Sequence, residues 1–309
     1  MHSSHNQLNF ASNEIYTNKE MFYMGKGLLV FQSDFGISDG AVSAMYGVAH
    51  SVDPEIKIYD ITHQIPQFNI WEASYRLLQT AQYWPDGTVF ISVVDPGVGS
   101  DRKAVVAKTV NDQYVVTPDN GTLTHIKRYY GIAEVREIDE SINRLPNSGE
   151  SHTFHGRDIF AYTGARLASG IITFEEVGPS LKVSDIVELN LKESTIEDDV
   201  ITGIIDIVDN PFGNLWTNVR RSQFKRLAKH YGDAFEVTLS TDNRKIYQSI
   251  MTYGRSFADL RVGEPLLYIN SLDNVGIAIN QGSFANAYHV GTGTNWEVSI
   301  RKAPKIVYI

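Results

Sequence analysis

Cysteine is absent from the 309 residues, which excludes disulfide frameworks, thiolate nucleophiles and zinc–thiolate sites together. A cytoplasmic location is the expectation consistent with that absence. Positive charge is in deficit: 27 lysines and arginines face 36 acidic residues, giving a net charge of −9. General attraction to nucleic-acid phosphates is therefore disfavoured, and a small cationic ligand suits the balance better. Apolar runs are strand-sized and none approaches the roughly 20 residues of a membrane span, so neither nucleic acid nor membrane is an expected partner. The opening residues lack the basic and apolar regions of a signal peptide. Residues 1–27 are instead read as a flexible leader, or as a start placed too early, because Met21 and Met24 lie just before the first strand-like run.

What is present supports a large fold. Hydrophobic residues make up 42% of the chain, enough for a sizeable core and more naturally divided into two domains than one. Leu28 to Gln32 is a short apolar strand, after which Val42, Met45, Tyr46 and Ala49 fall at the spacing of one helix face within 41–52. Residues 56–59, 89–94, 103–109, 113–117 and 133–137 read as further strands, and 70–83 and 159–169 as helices. A sheet flanked by helices is the economical packing of such elements. After Val187 the texture changes: 192–199 is charged, and short Val, Ile, Tyr and Gly segments follow at 203–208, 234–239, 264–269, 275–279 and 296–300, divided by turn signals. The expected organisation is an N-terminal α/β domain with a central sheet (28–187), a linker (188–199) and a C-terminal β-barrel or sandwich (200–309).

Four short motifs carry the candidate chemistry. Ser33-Asp34-Phe35-Gly36, followed by Asp39-Gly40, sits where a strand passes into a helix, the usual ligand-facing edge of an α/β sheet. Two carboxylates at that spacing suit a ribose diol and an ammonium or sulfonium; the blander alternative is that Asp34 and Asp39 cap a turn and a helix. Val94-Asp95-Pro96-Gly97-Val98-Gly99 ends another strand, with Arg102 close behind. A carboxylate and an arginine so placed fix a water by charge-assisted hydrogen bonds, or else form a surface ion pair worth about 0–1 kcal/mol. His155-Gly156-Arg157-Asp158 precedes a helix. The His152, His155, Asp158 spacing invites a metal reading, which the lack of a recognised metal motif makes the weaker one. In the second half, Asp209 to Asn214 follows a strand, and Phe212 and Asn214 suit stacking on a base and bonding its edge, or an ordinary turn with a packed Phe.

Taken in order, Ser-Asp-Phe-Gly-x-x-Asp-Gly, Val-Asp-Pro-Gly-Val-Gly with Arg102, His-Gly-Arg-Asp-Ile-Phe-Ala and Phe-Gly-Asn-x-x-Thr-Asn resemble one family from about Leu28 to the C-terminus. It is the S-adenosylmethionine (SAM) hydroxide adenosyltransferase family, whose relatives include fluorinase and chlorinase. The resemblance implies hydrolysis of SAM to adenosine and methionine by attack at ribose C5′, with SAM as substrate and no cofactor or metal. It further implies homotrimers whose active sites lie between one subunit's N-terminal domain and the next subunit's C-terminal domain. The family's catalytic residues map onto Asp95, Arg102 and His155, with Arg102 and His155 expected to hold the attacking oxygen while Asp95 orients it. Its ribose-diol carboxylate maps onto Asp34, its methionine-side carboxylates onto Asp39 and Asp209, its adenine contacts onto Phe212 and Asn214, and a methionine-carboxylate contact onto Ser271. Three departures stand out. Halogenating relatives carry a Tyr-Pro turn with a nearby Thr for halide, where Asp95-Pro96-Gly97-Val98 places a carboxylate. Tyr162 stands where proline is usual, and Leu272 where the halogenases have arginine. The competing readings are a SAM-dependent halogenase, a nucleoside- or SAM-binding module without turnover, and a metal hydrolase.

Overall fold

A computed structural model of the chain describes residues 27–150, 152–242 and 244–304. Most of the expected leader, residues 1–26, lies outside the described residues. Gly27 is held by the fold, its N–H donating to Ala168 O at 2.9 Å. The chain divides into two compact units, one ending at Glu188 and the other beginning at Leu189. No helix among the described residues is long and apolar enough to cross a membrane.

The first unit is built on a seven-stranded sheet of β1 (Leu28–Ser33), β2 (Lys57–Thr62), β3 (Val89–Val93), β4 (Ala104–Thr109), β5 (Tyr114–Pro118), β6 (Ile132–Glu137) and β7 (Ser180–Leu181). Its spatial order is β2-β1-β3-β5-β4-β6-β7. The strands from β2 to β5 run parallel, and β4, β6 and β7 complete the sheet antiparallel. Helices α1 (Ala41–Val52) and α2 (Ile70–Ala81) are the crossovers, and α3 (Tyr162–Ala168) packs beside α1. Because successive strand residues point to opposite faces, Leu29 and Phe31 of β1 join α1 and α3 in one core. Val30 joins Leu77 and Ala81 of α2, with Phe90 and Val115, in another. A sheet covered on both faces needs apolar residues at every position, and all five residues of β3 are buried. Strand β2, at the edge, has no buried residue.

The helix expected over 159–169 begins earlier and differently: Gly156–Ala161 forms a π-helical turn that passes into α3. Tyr162 donates its N–H to Ile159 O within that join, a bond that proline cannot make.

The second unit contains β8 (Thr195–Glu197), β9 (Val200–Asp209), β10 (Asn214–Arg220), β11 (Ala234–Thr241), β12 (Arg244–Tyr253), β13 (Pro265–Ile269), β14 (Asn274–Ile279) and β15 (Gly293–Lys302). They follow one another in space as β10-β14-β13-β12-β11-β15-β9, and β9 pairs back onto β10, closing a seven-stranded barrel with β8 as an outer addition to β9. Closure removes the free edges that would otherwise invite pairing with other chains. Inward residues such as Ile201, Ile205, Leu215, Val237, Met251, Leu267, Ile277 and Val298 fill the interior with Phe224 of α4 (Arg221–Leu227) and Phe284 of α5 (Phe284–Tyr288).

Candidate active site

The parallel register pairs Ser33 with Val93, so the loops leaving β1 and β3 emerge side by side at the carboxyl edge of the sheet. That edge holds a cavity of about 270 Å³ lined by residues that include Asp34, Phe35, Asp39, Phe68, Asp95 and His155. Asp34 accepts the Phe68 N–H at 2.8 Å on Oδ2, and Phe68 adopts φ 66° to present it, a left-handed conformation uncommon for a large side chain. Asp39 accepts the Ala41 N–H at 2.9 Å, while the residue capping α1 is Gly40, with no side-chain bond. Both carboxylates thus fill the modest turn roles open to them and also line the cavity.

Asp95, Arg102 and His155 interlock. Arg102 Nε donates to both Asp95 oxygens at 3.0 and 3.1 Å, and its Nη2 donates to Oδ2 and, at 2.9 Å, meets Nδ1 of His155. The ion pair is almost fully buried, with side-chain exposures of 10% for Arg102 and 6% for Asp95, so it differs from the solvated surface pair the spacing also allowed. A guanidinium has donors only; Nδ1 must therefore accept, and the neutral imidazole carries its proton on Nε2. Burial first, and the charge of Arg102 second, push the His155 pKa below its ordinary value, which favours that neutral ring. His155 Nε2 is buried and makes no hydrogen bond in the structure. The π-helical turn supplies two of these constraints, since His155 precedes it and Phe160 within it lies under the guanidinium, 5.2 Å from ring centroid to Cζ. Asn120 Nδ2 donates to Val94 O at 2.9 Å and anchors the strand end that carries Asp95. Arg102, 10% exposed, binds both Asp95 and His155, the two members of the cluster that line the cavity.

Asp158, the third residue of the metal reading, is fully buried and bonded to Arg157 at 2.6 and 3.1 Å. Among the described residues no group of three or more His, Asp or Glu side chains is placed to hold a metal ion.

The second unit has its own cavity, of about 890 Å³, whose lining contains Asp209, Phe212, Asn214 and Ser271 together. Asn214 is buried and donates through Nδ2 to Asp209 Oδ2 at 3.3 Å. Phe212 is 66% exposed, so it is not the packed turn residue of the blander reading. The turn between them depends on Gly213, whose φ is +68° and at which a Cβ would fall 1.9 Å from Ser283 Oγ. Sequence reasoning did not single out several other lining residues: Gln67, Phe68 and Phe154 in the first cavity, and Trp216, Arg255, Phe257 and Tyr268 in the second. Trp216 donates its indole N–H to the Tyr268 hydroxyl at 2.9 Å, and Phe257 packs on Tyr268 with centroids 5.0 Å apart. The available signal was weak, an aromatic two positions after Asn214 on a strand face shared with it.

Residues 29–178 match the SAM hydroxide adenosyltransferase N-terminal domain, and residues 203–297 match the C-terminal domain of the same name. A protein of Salinispora tropica named (R)-S-adenosyl-L-methionine hydrolase is 32% identical over 270 residues, covering 87% of this chain and 96% of the relative. A fluorinase of Actinoplanes is 27% identical over 307 residues, covering 90% and 99%. The crystal structure of an uncharacterized conserved protein from Thermotoga maritima superimposes with a TM-score of 0.79 at 35% identity, covering 89% of this chain and all (100%) of that one. With both domains matched in order along most of its length, this chain belongs to the SAM hydroxide adenosyltransferase family, a family of SAM-processing enzymes.

Proposed function

We propose that this enzyme hydrolyses SAM to adenosine and L-methionine, with water or hydroxide attacking ribose C5′. The observation that carries the reading is the buried Asp95–Arg102–His155 cluster, of which Asp95 and His155 line the first cavity. In this reaction the new bond joins the water oxygen to C5′, the C5′–S bond breaks, and one proton of the water is released to solvent. The electron pair of the broken bond returns to sulfur, and methionine leaves as a neutral thioether. No acid is needed for the leaving group. The difficulty is the nucleophile, since making free hydroxide from water at pH 7 costs about 12 kcal/mol.

Neutral His155 donates from Nε2 to the attacking oxygen, and Asp95 orients it from the other side. Arg102, bonded to both, offsets the carboxylate's charge and holds the imidazole in the donating tautomer. Asp34 binds the ribose diol, Asp39 and Asp209 face the cationic methionine portion, Phe212 and Asn214 take the adenine, and Ser271 meets the methionine carboxylate. SAM serves as substrate, and the reading calls for no cofactor. We propose further that the enzyme is a cytoplasmic homotrimer whose SAM is shared between the first unit of one subunit and the second unit of the next; the family resemblance supports this assembly.

The fluorinase-like alternative follows from the fluorinase relatives. The carboxylate of Asp95 in the cavity opposes it, because a group that only accepts offers a halide no hydrogen-bond donor. Incubation with SAM, with and without added chloride or fluoride, decides the matter by product chromatography. Adenosine and methionine are expected under every condition; a 5′-halo-5′-deoxyadenosine would overturn hydrolysis as the assignment.

A further inference from the structure

A second polar cluster, buried at Ser33 and His63 and exposed at Asp60, adjoins Asp34 and Phe35 of the first cavity, and the proposed chemistry does not use it. His63 follows β2 and is 4% exposed. Its Nε2 lies 3.1 Å from Asp60 Oδ1 and 3.0 Å from the Tyr46 hydroxyl, and its Nδ1 lies 2.7 Å from Ser33 Oγ. Tyr46, on α1, also donates to the Asp60 carboxylate. An ionised carboxylate only accepts, so Nε2 carries a proton, and in a neutral ring Nδ1 accepts from Ser33. The Ser33, His63, Asp60 order has the outline of a nucleophilic triad, but its burial excludes that role. Ser33 is completely inaccessible (0% exposed), and its oxygen is already taken by the Phe35 N–H at 3.2 Å.

What the cluster does hold is the pair of loops that meet at Asp34. Ser33 and Phe35 are the immediate neighbours of Asp34, and both are bound through Ser33 Oγ to His63. Gly36 N–H donates to His63 O at 2.7 Å, and Ile65 N–H donates to Ser33 O at 3.4 Å. The same 63–69 loop then supplies the Phe68 N–H that Asp34 accepts. His63 is therefore common to the loop that carries the Asp34 carboxylate and the loop that bonds it.

We infer that His63 is a positioning residue for sugar recognition: through Ser33 and the 63–69 loop it sets the Asp34 carboxylate where a ribose diol is read. The inference rests on the assignment of Asp34 to the diol. Its consequence is specific, because a displaced Asp34 loses the distinction between a ribose and a 2′-deoxyribose, whereas general loosening of the fold does not select between them.

The test is calorimetric titration of adenosine and 2′-deoxyadenosine into the full-length wild type and into His63→Ala, His63→Asn and Ser33→Ala, with a thermal melt of each. His63→Ala and Ser33→Ala are expected to reduce the preference for adenosine by about tenfold or more, the scale of one hydrogen bond to a charged group. His63→Asn, which keeps an acceptor for Ser33, should recover part of it. Asp34→Asn is the control. If Asp34→Asn loses the preference while both His63→Ala and Ser33→Ala keep it, the inference fails and the diol assignment stands. If the wild type shows no preference, or Asp34→Asn retains it, both fail together. Should His63→Ala not fold, Ser33→Ala and His63→Asn carry the same comparison.

Discussion

Arg102 meets Nδ1 of His155 with a donor, and the consequence of that contact is a pH profile. The folded His155 has its pKa lowered by burial and by the Arg102 charge, and the proposed reaction uses the neutral ring. Activity is therefore retained as pH falls through the ordinary histidine value of 6.5 and declines only below it, as protonation at Nδ1 breaks the bond to Arg102. Initial rates of adenosine release between pH 5 and 8 check this; an acid limb at or above 6.5 contradicts it. Arg102→Lys is expected to lower adenosine release by about two orders of magnitude, because a lysine cannot bond both Asp95 oxygens and His155 from one planar group. SAM binding measured alongside separates lost chemistry from lost affinity. Adenosine release should be insensitive to a chelator, and inactivation by it would restore the metal reading of His152, His155 and Asp158.

Among the elements, two joints have measurable consequences. His125 precedes the π-helical turn Ile126–Tyr130 and is tied to Ser74 of α2 through its backbone N–H at 3.0 Å and through Nδ1 at 2.9 Å. Trp71 and Tyr75 of the same helix enclose the ring edge-on. Burial pushes its pKa from 6.5 to about 4. Between those values the unfolded chain takes up a proton that the folded chain refuses, so stability falls as pH drops from 6.5 towards 4 and the loss ends below that. The amount is on the order of 3 kcal/mol. Urea denaturation at pH 7 and pH 4.5 should show a smaller decline in His125→Phe than in the wild type; equal declines would remove His125 as the cause. In the second unit, Gly213→Ala forces a side chain into a left-handed backbone and against Ser283, the cap of α5. The backbone conformation alone costs about 1–2 kcal/mol, so its denaturation midpoint should fall and the Phe212 turn should lose its affinity for adenosine.

For the whole molecule, the proposed assembly predicts a sedimentation mass of three chains, and a stable, fully active monomer would refute it. The sequence and the fold agree most closely where one period dominates. Fully buried β3 reads as a strand from its five residues alone, and α1 and α2 read as helices from their apolar spacing. The second unit is legible as short strands, but β10 and β12 escape the reading. Asn214–Arg220 opens inside a turn motif, and Arg244–Tyr253 buries only Tyr247, Met251 and Tyr253, leaving an outer face of Arg, Lys and Gln. Their pairing comes from barrel closure, which depends on partners remote along the chain. The site divides in the same way. The sequence by itself determined which residue types stand at each strand end, and its ordered motifs named Asp34, Asp95, Arg102, His155, Phe212 and Asn214. Only the tertiary structure decided that Arg102 bonds both Asp95 and His155, which nitrogen of His155 bears the proton, and that His63 links the loops around Asp34. Local chemistry is written in neighbouring residues, whereas hydrogen-bond direction and burial are properties of groups brought together from distant positions in the chain.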